Sequence, residues 1–276
     1  METFNLPPLR EVIDQYDIRA HKSMGQHFLL DVNLTRRIVS AAGDLTKEHV
    51  IEVGAGPGGL TRALIESNAE SIIAIERDKR CIMALQELSE LSSGRLKIIQ
   101  ADALTTDLAK IQPKPSRIVS NLPYNIGTEL LIKWLKQADQ YTGFTLMFQR
   151  EVAERIIAKP GSKSYGRLSV ISQWLTKAKL AFHIPSTAFV PKPKVMSSVV
   201  NMDVRQEPIH PANQQYLEMI TRLAFGQRRK MLRRSLESVG GSELLAKAGI
   251  KETSRAEDLK VSDYCRLANL VESDSD

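Results

Sequence analysis

A chain of 276 residues, 42% hydrophobic and 25% charged, has the makeup of a globular protein with room for one large domain and an appendage, or two modest domains. No apolar run reaches the length of a membrane span, and the opening METFNLPPLREVI, with an early acid and two prolines, fits neither a secretory signal nor a transit peptide. The formal charge of +6 admits a polyanionic partner without requiring one. Two distant cysteines, Cys81 and Cys265, argue against a disulfide framework or a CxxC zinc site and point to a reducing cytoplasm. The five histidines are scattered without metal-ligand spacing, so no metal is expected.

The first thirty residues are mixed and basic. Asp31 then reads as the N-cap of a helix through NLTRRIVSAAG, with Gly43 as its stop. Strands and helices alternate from there. HVIEV (49–53), SIIAIE (71–76), RLKIIQAD (95–102), SRIVSN (116–121) and FTLMFQ (144–149) read as strands. LTRALIESN, CIMALQELSEL, ELLIKWLKQ and EVAERIIA read as the helices among them. KLAFHI (179–184) and SSVVNMDV (197–204) add two late strands, expected to form a terminal hairpin on the sheet. This alternation predicts a doubly wound, mostly parallel α/β sheet of seven strands. QEPIHP (206–211) marks a composition shift, and everything beyond it reads helical. The expected domains are therefore residues 1–207 and a small α-helical domain, residues 208–276.

EVGAGPGG (52–59) lies between a strand and a helix. Gly54 and Gly56 let the backbone turn sharply and approach a ligand ahead of the helix N-terminus. Such a turn serves NAD, FAD or S-adenosylmethionine, or simply makes a tight connection. Glu76 ends the second strand, 22 residues beyond Gly54, where a carboxylate can accept both ribose hydroxyls. Asp102 ends the third, where it can accept from the exocyclic amine of an adenine or cap the next segment. Together they fit an adenosine held across the strand ends, with NAD still open.

The fourth strand delivers Asn121, Leu122, Pro123 and Tyr124 at its carboxyl end. The lone pair of an exocyclic base amine is delocalised into its ring and attacks poorly. The Asn121 side-chain oxygen and the Leu122 carbonyl can take its two hydrogens and favour the pyramidal, nucleophilic nitrogen. Pro123 fixes the bend, and Tyr124 offers a face on which the base stacks in line with a methyl donor. A dehydrogenase has no use for this stretch.

FGQRRKMLRRSL concentrates charge. At 100° per residue Arg229, Lys230, Arg233 and Arg234 share one helix face beside an apolar stripe. With Arg228 they read either as a solvated face or as a rail for phosphates.

These residues resemble a known family. SNLPY is similar to the Asn/Asp-Pro-Pro-Tyr motif of methyltransferases that act on base amines, and EVGAGPGG, Glu76 and Asp102 look like the cofactor motifs of class I methyltransferases. KSMGQHFLLD, FVPKPKVMSSVV (189–200) and FGQRRKMLRRSL resemble, in the expected order, segments of the KsgA-type small-subunit ribosomal RNA adenine dimethyltransferases. The resemblance runs from about residue 9 to 270 and implies a class I S-adenosylmethionine-dependent fold, Rossmann-like, with a C-terminal helical domain. It implies transfer of four methyl groups to two adjacent adenines near the 3′ end of 16S rRNA in a maturing small subunit, leaving S-adenosylhomocysteine. By motif, His27, Leu29, Gly54, Gly56, Glu76, Asp102 and Asn121 are expected at the cofactor, and Phe189 as a second stacking face opposite Tyr124. His27 departs from the pattern, standing where Asn is more usual.

Three alternatives compete with that reading, two of them relatives. One is the resistance-type enzyme that dimethylates large-subunit rRNA, disfavoured by the basic segment and the long helical C-terminus. Another is a mitochondrial transcription factor of the same descent. The third is an assembly factor whose main role is binding the subunit. Nothing in the sequence demands a dimer.

Overall fold

The computed structural model describes residues 6–20, 25–111, 113 and 115–274. The Lys22–Met24 part of KSMGQHFLLD lies outside the described residues. Contacts divide the chain into two compact units, Met1–Ala153 with Lys179–Val204, and Glu154–Ala178 with Arg205–Asp276.

The first unit opens with α1 (Leu9–Gln15), a two-residue strand β1 (Phe28–Leu29) and α2 (Val32–Ala41). Asp31 caps α2 as expected, its side chain accepting from Asn33 N. Then come β2 (His49–Val53), α3 (Gly59–Ile65), β3 (Ser71–Glu76), α4 (Lys79–Leu91), β4 (Leu96–Gln100), β5 (Ser116–Asn121), α5 (Gly127–Leu135), β6 (Tyr141–Gln149) and α6 (Arg150–Ile157). After α7 (Arg167–Leu175) follow β7 (Thr176–Ile184), β8 (Phe189–Val190) and β9 (Ser197–Val204).

Seven strands form one sheet in the order β4-β3-β2-β5-β6-β9-β7. The pairs from β4 across to β6 are parallel, and β9 runs antiparallel to β6. The strand order reverses between β2 and β5, so a crevice opens there beyond the strand carboxyl ends. Apolar side chains from β2, β3 and β5, such as Val50, Ile72 and Val119, are buried with Ile38, Leu64 and Leu85 from the helices. The two late strands do extend this sheet, with β9 inserted between β6 and β7. A separate ladder pairs β1 with β8, setting Leu29 opposite Phe189 and Phe28 opposite Val190.

The second unit is helical: α7, α8 (Gln214–Gly226), α9 (Leu232–Ser235), α10 (Gly241–Lys247) and α11 (Val261–Ser273). Phe225 packs between Tyr165 and Tyr264, with ring centroids 6.0 and 5.6 Å away. The Trp174 indole N–H donates to the His210 carbonyl at 2.8 Å. Residues 154–178 thus pack with the C-terminal helices, and the break falls at Val204–Arg205, a few residues before the expected 207/208 boundary.

The basic segment is not the continuous helix the sequence suggested. α8 ends at Gly226, residues 227–230 form a turn, and α9 is a single short turn of helix. The shared-face projection therefore does not apply to it.

Candidate active site

A cavity of about 260 Å³ lies at the carboxyl ends of β2, β3 and β5, where the strand order reverses. Its floor is the turn after β2. Gly54 has φ +71° and Gly56 φ +55°, left-handed values that side chains resist, and Gly54 N donates to the Ile75 carbonyl at 2.8 Å. Gly56 N in turn donates to Glu76 Oε2 at 2.8 Å.

Glu76 is buried at the end of β3, and its other oxygen accepts from the backbone N–H groups of Arg77 (2.7 Å) and Asp78 (2.9 Å). A carboxylate offers about four acceptor positions. Three go to the backbone, leaving the open one on Oε2. That position faces the cavity and can accept a ribose hydroxyl.

Asp102 lies past the end of β4, in the following turn. Its Oδ1 accepts from Leu104 N at 2.9 Å, and Oδ2 faces Arg77 at 3.2 Å. The capping reading and the ligand reading are compatible, since each oxygen keeps acceptor capacity.

Sequence reasoning passed over Glu52, the acid inside HVIEV. It is 2% exposed, lines the cavity and accepts from Thr61 Oγ1 at 2.6 Å. Burial pushes its carboxyl up to about 8; the Thr61 bond lowers it in part, and nearby Glu76 raises it further. A lone acid in an otherwise apolar strand was the available signal.

Asn121 ends β5 with its side-chain N–H group donating to the His27 carbonyl at 3.1 Å. That bond sets the way the amide points and leaves Oδ1 as the acceptor. The Pro123 carbonyl takes the N–H groups of Ile126 (3.2 Å) and Gly127 (3.1 Å), so the turn at the head of α5 is closed without the Leu122 carbonyl. Tyr124 is half-buried, its hydroxyl hydrogen-bonded to Ser197 Oγ. Burial raises its phenol above the ordinary value, against a smaller lowering by Ser197.

The imidazole of His27 stands 5.1 Å from the Tyr124 ring and 6.3 Å from that of Phe189, with Nδ1 2.6 Å from the Pro191 carbonyl. A carbonyl only accepts, so Nδ1 carries the hydrogen. His27, Leu29 and Tyr124 line the cavity. Phe189 does not: it is 2% exposed and belongs to the core behind His27. The ring facing Tyr124 is thus that of His27.

Three carboxyl groups, Glu52, Glu76 and Asp102, line this cavity against one guanidinium, Arg77. The set suits a nucleoside whose hydroxyls and amine donate to these oxygens. The sheet order and this cavity suit an S-adenosylmethionine-dependent methyltransferase of the α/β class. The fold is shared with a dimethyladenosine transferase from Plasmodium falciparum (TM-score 0.80, 23% identity, covering 90% of this chain and 98% of that one) and with the 23S rRNA methyltransferase ErmE (0.71, 24%, 89% and 99%). Residues 18–273 match the family model described as ribosomal RNA adenine dimethylase. The proteins called ribosomal RNA small subunit methyltransferase A from Mesorhizobium japonicum (54% identical, 98% of this chain and all of that one) and Bartonella henselae (55%, 97% and 98%) are similar along nearly their whole length. The chain belongs to the ribosomal RNA adenine dimethylase family.

In the second unit the five basic residues part company. Arg228 is half-buried, its Nε 2.6 Å from Glu257, and also donates to the Ser162 carbonyl at 3.3 Å. Arg233 pairs with Glu252 at 3.0 Å, and Arg234 faces Glu237 at 3.7 Å. Arg229 and Lys230 are exposed in the turn. Among the described residues no helix is long and apolar enough to cross a membrane.

Proposed function

We propose that this enzyme dimethylates N6 of two adjacent adenines near the 3′ end of 16S rRNA in a maturing small subunit, acting as a cytoplasmic monomer. The observation that carries the chemistry is the Asn121–His27 bond, which leaves Asn121 Oδ1 as an acceptor beside Tyr124. The names of the similar bacterial proteins, small subunit methyltransferases, support the substrate.

S-adenosylmethionine supplies an electrophilic methyl on a sulfonium. Glu76 holds a ribose hydroxyl through Oε2, Asp102 receives the adenine amine, and Gly54, Gly56, His27 and Leu29 shape the wall. Glu52 would offset the positive charge of a bound cationic ligand by ionising. For the acceptor, Tyr124 stacks on an adenine extruded from the RNA. Asn121 Oδ1 and the Leu122 carbonyl take the two amine hydrogens, and Pro123 fixes the bend that presents them. Once methylated the nitrogen is cationic and gives up a proton readily, so no strong base is needed. Phe189 supports the stack from behind His27 rather than facing the base directly. Arg229, Lys230, Arg233 and Arg234 contact phosphates, while Arg228 holds its own fold together.

The test is labelled methyl transfer from S-adenosylmethionine to under-methylated small subunits, with large subunits beside them, followed by nucleoside digestion. Dimethyladenosine from small subunits alone is the expected result. Label in large subunits would favour the resistance-type reaction. No label with tight subunit binding would leave an assembly factor.

A further inference from the structure

α5 starts three residues after Tyr124 and carries Lys133 two residues from its C-terminal end, half-buried in an otherwise apolar stretch. The Lys133 ammonium donates to three backbone carbonyls, Ala103 (3.0 Å), Leu104 (2.8 Å) and Thr106 (2.7 Å). An ammonium has three donors, and these bonds account for all of them. The carbonyls converge because the turn is wound tightly on Asp102: its main-chain oxygen accepts from Thr106 N at 2.9 Å and Thr106 Oγ1 at 2.7 Å. Its side chain accepts from Leu104 N at 2.9 Å. Asp102, Ala103 and Leu104 all line the cavity, whereas Lys133 does not.

We propose that Lys133 is a positioning residue for the adenine end of the cofactor cavity, its ammonium closing the Ala103–Thr106 turn and so holding the Asp102 carboxylate in place. A hydrophobic side chain at this position would leave three carbonyls to splay toward other donors, and Asp102 would swing with them. The same bond set fastens this turn to the helix that follows the Asn121–Tyr124 motif, so cofactor end and acceptor end are registered through one side chain. Arginine replaces it only in part, because a planar fork cannot aim three donors at one converging triad. The inference rests on the proposed assignment of Asp102 to the adenine amine.

The experiment measures steady-state methyl transfer by wild type, Lys133→Met, Lys133→Arg, Asp102→Ala and the Lys133→Met/Asp102→Ala double variant. Affinity for S-adenosylhomocysteine is compared with that for its deaminated inosine analogue. The expected result is a KM for S-adenosylmethionine raised on the order of tenfold in Lys133→Met, the worth of one charge-assisted hydrogen bond. The kcat stays near wild type, Lys133→Arg recovers part of the loss, and preference for adenosine over inosine narrows. Adding Lys133→Met to Asp102→Ala costs little more. If kcat and melting temperature fall together with KM unchanged, or if the two substitutions add fully, Lys133 is structural and the proposal fails while the assignment of Asp102 stands. If Asp102→Ala leaves KM and the inosine preference untouched, that assignment fails and the proposal with it.

Discussion

The side-chain amide of Asn121 donates to the main-chain carbonyl of His27 at 3.1 Å, tying the acceptor motif to a residue 94 positions earlier. Because the tie uses backbone at residue 27, substitution there spares it. What His27 itself contributes is the ring facing Tyr124 and the bond to the Pro191 carbonyl. His27→Asn should therefore keep methyl transfer within about tenfold of wild type, the scale of one hydrogen bond. Steady-state rates with saturating cofactor check this; a loss as deep as that of an Asn121 variant would give the ring a chemical role.

Tyr124 combines a stacking face with a hydroxyl bonded to Ser197. Tyr124→Phe keeps the face and should retain most activity. Tyr124→Ala removes it, at about 1–3 kcal/mol for a base–aromatic stack, or roughly five- to 150-fold. Comparing kcat/KM for RNA in the two variants separates the ring from its hydroxyl.

Glu52 makes stability depend on pH. Its folded carboxyl titrates at about 8 against an ordinary 4.5, so between those values the unfolded chain has lost a proton that the folded chain keeps. The stabilisation is full below the unfolded value and is lost as pH rises through the folded one, a difference on the order of several kcal/mol. Denaturant unfolding at pH 5 and pH 8, wild type against Glu52→Gln, should show this extra fall in wild type only. A cationic ligand favours the ionised form, so S-adenosylmethionine binding near neutral pH should release a proton. Calorimetry in buffers of differing ionisation enthalpy reads it.

The basic residues should divide into two kinds. Arg228→Ala breaks the Glu257 and Ser162 bonds and is expected to lower the melting temperature with little change in RNA affinity at permissive temperature. Arg229→Ala and Lys230→Ala should leave melting unchanged. Each should flatten the salt dependence of RNA binding by about 0.7 of a unit of log–log slope for a single-stranded contact.

Features coded by neighbours in sequence were legible there: the β2 strand with its Gly turn, Glu76 at the end of β3, and Asn121–Tyr124 at the end of β5. What escaped depends on residues far apart. The β1–β8 ladder joins Phe28–Leu29 to Phe189–Val190 and carries no local pattern. Packing of residues 154–178 with the C-terminal helices is likewise a tertiary choice. The basic segment misled because a helical projection assumes an unbroken helix, while the chain turns at 227–230 and Arg228 finds an acid 29 residues later. Phe189 has the residue type for stacking, but it is taken into the core with residues such as Leu29 and Ile184, a tertiary choice no local pattern announces.

The most direct test of the account is single-turnover methyl transfer to under-methylated small subunits by Asn121→Ala, with S-adenosylhomocysteine affinity and melting temperature measured on the same preparation. If Asn121 Oδ1 accepts an amine hydrogen as the methyl moves, the rate should fall about a hundredfold or more, the scale of losing one oriented transition-state partner. Cofactor affinity should change far less and the fold should persist. A variant that transfers methyl groups at nearly the wild-type rate would contradict the role given to Asn121.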